Sequence, residues 1–192
     1  MLRDYSNAAR MWTPSAVALN QNLRKLWADH VYWTRLTVNS IAGKLPDEQA
    51  TTARLLRNPD DFGAALAPLY GPAIAAAAAS LLRDHLTIAA DLVKALRDGR
   101  SATAAALQTR WYRNADSIAE LLGRINPYWT VDEWRRMMYD HLRLLTGEAS
   151  ARLAGDYAKN VATSDPIVAQ ALGMADTMTS GILRQFPAAF SH

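Results

Sequence analysis

At 192 residues, half of them hydrophobic and a fifth charged, the chain is long enough for one good core and short for two domains. Its net charge of +3 is mild and its basic residues are scattered among acidic ones, so no nucleic-acid groove is expected. Cysteine is absent, which removes disulfides, thiolate catalysis and every Cys-based metal site, and suits a reducing cytoplasm.

The start, "MLRDYSNAARMWTPS", has no apolar signal segment. The most apolar run, "AIAAAAASLL", is about half a membrane span before it meets Arg83-Asp84. The expectation is a soluble cytoplasmic protein with no membrane partner, built as a tail over residues 1–13 and one helical domain over 14–190.

Helical periodicity dominates, and no alternating β-branched segment competes with it. A first long helix spans about Pro14 to Ala42, with Thr13 as cap, Pro14 at the first position and Gly43 as stop. Its apolar stripe reads Leu23, Leu26, His30, Trp33 or Thr34, Thr37, Ile41. A broken segment follows: a short helix after Pro46, then "RNPDDFGAALAPLYG", whose prolines and glycines predict only short pieces. The second long helix starts after Gly71-Pro72, ends at Asp98-Gly99, and carries His85 on its stripe. The third runs from Ser101 to Ile125 with Trp111, Asn114 or Ala115, and Ile118 on one face. "TVDE", Thr130 to Glu133, is a capping box that opens the fourth, where Trp134, Met137 or Met138, His141, Leu144 or Leu145, Glu148 and Arg152 align. Ser164-Asp165-Pro166 starts a fifth, with Met174 and Met178 on its apolar face. The predicted fold is all-α: an antiparallel four-helix bundle, a broken helical crossover between helices 1 and 2, and an additional C-terminal helix. No phosphate-binding glycine loop or nucleophile elbow is present.

Every internal histidine follows an aspartate, in "WADHVYWT", "LRDHLTIA" and "MYDHLRLL", and each falls on the apolar stripe of its own long helix. Counting from the hairpins at about 1.5 Å per residue puts His85, Asn114 and His141 in one layer, and His30 is compatible with it. Three neutral imidazoles from three helices suit a divalent transition metal, with Zn, Fe, Cu, Ni and Mn not distinguished. Asp29, Asp84 and Asp140 point about 100° away from their histidines, so they are candidate supports that accept a ring N–H from the flank. The opposing reading pairs them with nearby arginines. Asn114 or Asp116 would complete the layer, Glu148 is a candidate base, Asn114 a candidate assistant, and Thr34 a candidate donor one turn past His30. Met137 and Met138 read as packing, and Trp27, Trp33, Trp111 and Trp134 as walls that keep the layer dry.

The segments "LWADHVYWTR", "DHLTIAADLV", "WYRNADSIAELL", "INPYW" and "MADTMTSGILRQF" resemble a family of small bacterial all-helical proteins, from about Leu23 to Phe190. That resemblance supports the helix boundaries and implies no particular activity. A looser likeness, of architecture only, is to the DinB-like bundles, which hold a metal with three histidines and include thiol transferases and isomerases. The chain departs from them in having no His-x-x-x-His pair on its last bundle helix. The leading expectation is therefore a three-histidine metal-binding bundle, open to a small-molecule substrate and compatible with a homodimer. The alternatives are a metal-free interaction module that docks a partner protein through its last helix, and haem held by His30 or His85.

Overall fold

The computed structural model describes residues 12–191, and these are all-helical with no strand among them. The expected N-terminal tail falls almost wholly outside the described residues. Helix α1 (Pro14–Gly43) opens where Thr13 Oγ1 accepts the Ala16 N–H at 3.2 Å, and closes at Lys44 in the left-handed region, φ 50°. It is followed by α2 (Glu48–Leu55), α3 (Asn58–Arg97), α4 (Ser101–Ile125), α5 (Val131–Leu153), α6 (Tyr157–Ala162), α7 (Ser164–Gln185) and a 3-10 turn at Pro187–Phe190. At α5 the Thr130 hydroxyl accepts the Glu133 N–H, as the cap motif predicts.

The broken segment is more regular than its composition suggests. Residues 58–70 form one helix that continues into 72–97 through a kink at Gly71, whose φ of 81° only glycine takes easily. Pro59 sits in the first turn, where no intrahelical N–H is required, and Phe62 and Leu66, at 1% and 2% exposure, supply an apolar stripe. Because the helix carries on, 48–97 contains a window apolar enough to cross a membrane by composition, with mean hydropathy 1.6. The short apolar run alone did not suggest this.

The helices close a circuit in which α1 packs on α3, α3 on α4, α4 on α5, α5 on α7 and α7 on α1. Helix α7 is therefore not an outer appendage. Its Ile167, Ala171, Met174, Met178 and Ile182 are buried in the same core as Trp111, Trp129 and Trp134.

Candidate metal centre

His30 projects from α1, His85 from α3 and His141 from α5, and all three are buried at 2% exposure. One ligating nitrogen from each lies within 4.8 Å of the other two. The His30 ring centroid is 6.3 Å from that of His85 and 5.6 Å from that of His141. Convergence follows from placing one polar residue on an otherwise apolar stripe in each of three helices that share a core.

What orients the rings is a device used three times. His30 Nδ1 bonds Asn58 Oδ1 at 3.0 Å, His85 Nδ1 bonds Asn114 Oδ1 at 2.9 Å, and His141 Nδ1 bonds Gln170 Oε1 at 2.9 Å. Each amide NH₂ in turn donates to the backbone carbonyl one helical turn before its histidine. Asn58 reaches Leu26, Asn114 reaches Leu81 and Gln170 reaches Met137, at 2.9, 3.0 and 2.9 Å. With its nitrogen committed to a carbonyl, each amide presents oxygen to the ring, so the ring must donate from Nδ1. Nε2 is left with its lone pair free.

Burial keeps the rings uncharged at neutral pH. It draws His30 down to about 3, with His141 adding to the effect and Asn58 opposing it. His85 falls well below the usual range through burial and then through His30 and His141, against Asn114. His141 is lowered by burial, opposed by Gln170 and Asp140. Trp27 lies 5.5 Å from the His30 ring and Trp111 5.3 Å from that of His85, so both wall the layer. Trp134 meets Trp129 edge-to-face instead, and Trp33 is half-buried under Arg54.

The other candidates have different partners. Asp29 pairs with Lys25 and Arg54, Asp140 pairs with Arg143, and Asp84 is exposed. The amides of Asn58, Asn114 and Gln170 hold the position at each ring Nδ1 instead. Asp116 bonds Arg135 and Tyr139, leaving Asn114 as the inward residue. Asn114 bonds His85 through its oxygen and the Leu81 carbonyl through its nitrogen, so its amide is engaged in orienting His85. Glu148 is buried and bonded to Arg35, while Arg152 stacks over Tyr157. Burial raises its pKa against the pull of Arg35, and the ion pair occupies it as a base. The Thr34 hydroxyl is buried and has no partner among the described residues.

Two supports, Asn58 and Gln170, escape the sequence reading. The signal available was spacing: the amides follow their histidines by 28, 29 and 29 residues.

A cavity of about 30 Å³ lies on the C-terminal side of the histidines, walled by Thr34, Thr37, Ala89, Trp111, Leu145 and Ala149 among others. A smaller one, about 20 Å³, lies on the other side between Trp27, Leu81, Leu82 and Trp134. No family model, curated protein or solved structure matches the chain, so the functional reading rests on this geometry.

Proposed function

We propose that the protein binds one divalent transition-metal ion through Nε2 of His30, His85 and His141. The observation that carries this reading is the threefold amide lock. It fixes three neutral rings in the same tautomer, so three acceptor nitrogens meet with no donor among them. Such an arrangement is unfavourable in an apolar core and favourable around a cation. Ligating histidines commonly donate their second ring N–H to a fixed acceptor, which is the role of Asn58, Asn114 and Gln170 here. Three imidazoles leave at least one coordination position open, where the ion would polarise a substrate or activate water.

The competing readings find less support. Met174 and Met178 are spent inside the core, at 0% and 3% exposure, and cannot form a docking face on the last helix. Haem would need far more room than the roughly 30 and 20 Å³ beside the layer.

Elemental analysis of protein purified without a nickel column tests the proposal. About one metal per chain is expected, lost when all three histidines are replaced. Less than about 0.2 per chain after reloading, unchanged by those replacements, would overturn it.

A further inference from the structure

We propose that the 30 Å³ cavity is the ligand pocket of that centre, and that it takes a small uncharged diatomic molecule such as dioxygen or nitric oxide. One end of the molecule would face the metal, and the Thr34 hydroxyl would reach the other. The inference rests on the metal-binding reading above.

The helical register supports it. Thr34, Ala89 and Leu145 each lie four residues after a histidine, about 6 Å along the helix, and all three line the cavity. The cavity therefore lies about one helical turn beyond the histidines on all three histidine-bearing helices.

Size and charge narrow the occupant. A water needs at least about 10–15 Å³ of such space, so 30 Å³ admits two waters or one diatomic molecule and excludes a sugar or a nucleotide. No charged side chain lines the walls, so the cavity itself supplies no counter-charge away from the metal.

Polarity points the same way. Thr146, in the same wall, back-bonds to the Leu142 carbonyl at 2.8 Å, the usual resort of a helical threonine. Thr34 and Thr37 do not. Their hydroxyls, and the Trp111 indole N–H, are buried without a partner. An unmet buried donor is costly, and a ligand atom able to accept would offset that cost. The cavity on the opposite side of the layer has no hydroxyl among its walls, only the buried indole N–H groups of Trp27 and Trp134.

Nitric oxide added to protein loaded anaerobically with ferrous iron is the test, with iron content measured in parallel. The expected result is one nitric oxide per bound iron, seen by electron paramagnetic resonance. Ala89→Leu should retain iron while weakening nitric oxide binding about tenfold, or about 1.4 kcal/mol, by filling the pocket. Thr34→Val, of nearly the same shape, should retain iron and move the N–O stretch upward by removing the hydrogen bond. It also decides the matter if Ala89→Leu fails to fold. Iron bound without nitric oxide, or binding and stretch unchanged in both variants, would overturn the pocket and leave the metal site standing. Failure of the native protein to take iron or any other divalent metal would remove both.

Discussion

Each histidine in the layer depends on one amide, and the amide on one backbone carbonyl of the histidine's own helix. The ring is therefore held from its own helix through a neighbour, which fixes tautomer and direction together. Replacing Asn114 or Gln170 by alanine should lower metal affinity about 10–100-fold, measured by competition with a chelator. The metal-free protein should also melt earlier, because a buried ring N–H loses its acceptor. Glu148 belongs to a different device, an ion pair with Arg35 that Asn160 braces from both sides. Glu148→Gln should leave metal content unchanged and destabilise the fold by about 1–3 kcal/mol, read by thermal melting.

At the scale of elements, two glycines set how helices meet. Gly71 turns one long helix into two arms, of which the first carries Asn58 and the second His85. Gly71→Ala meets no clash but must hold φ 81°, so about 1–3 kcal/mol of stability should be lost. The denaturant midpoint should fall with its slope unchanged. Gly181 is constrained by space. A Cβ there would stand 1.9 Å from Trp129 Nε1, whose N–H bonds the Thr177 carbonyl. Gly181→Ala should therefore force a rigid indole aside and cost at least about 1–3 kcal/mol in the same measurement.

Across the whole molecule, one two-helix unit recurs three times: α1 with residues 58–70, residues 72–97 with α4, and α5 with α7. A histidine sits on the first helix and an amide on the second. Four and eight residues past the amide come Phe62 and Leu66, Ile118 and Leu122, and Met174 and Met178, all buried. A small buried residue, Gly63, Ala119 or Ala175, comes five past it. A global consequence is the pH dependence of the metal-free protein. The folded-state pKa values of all three histidines lie below the unfolded value of about 6.5, so the unfolded chain binds protons that the folded chain refuses. Stability is fully present above about pH 6.5 and falls on acidification, continuing toward about 3 for His30. The slope is up to about 1.4 kcal/mol per pH unit for each histidine. Denaturant midpoints should therefore fall between about pH 7 and pH 5, less steeply in His85→Gln.

Helix positions, caps and the shared level of the three histidines are legible along the chain, because apolar period, capping chemistry and rise per residue are local properties. The failures have equally physical causes. Proline and glycine in "RNPDDFGAALAPLYG" read as breaks, yet Pro59 in a first turn and Gly71 at a kink are both compatible with helix once Phe62 and Leu66 have a core to enter. The aspartates are adjacent in sequence to the histidines and turned away in space, whereas Asn58 and Gln170 lie 28 and 29 residues off and touch them. A side chain's hydrogen-bond partner depends on rotation and register between helices, which no single helix carries. Pocket and tautomer, and with them the chemistry open to the site, arise from that packing alone.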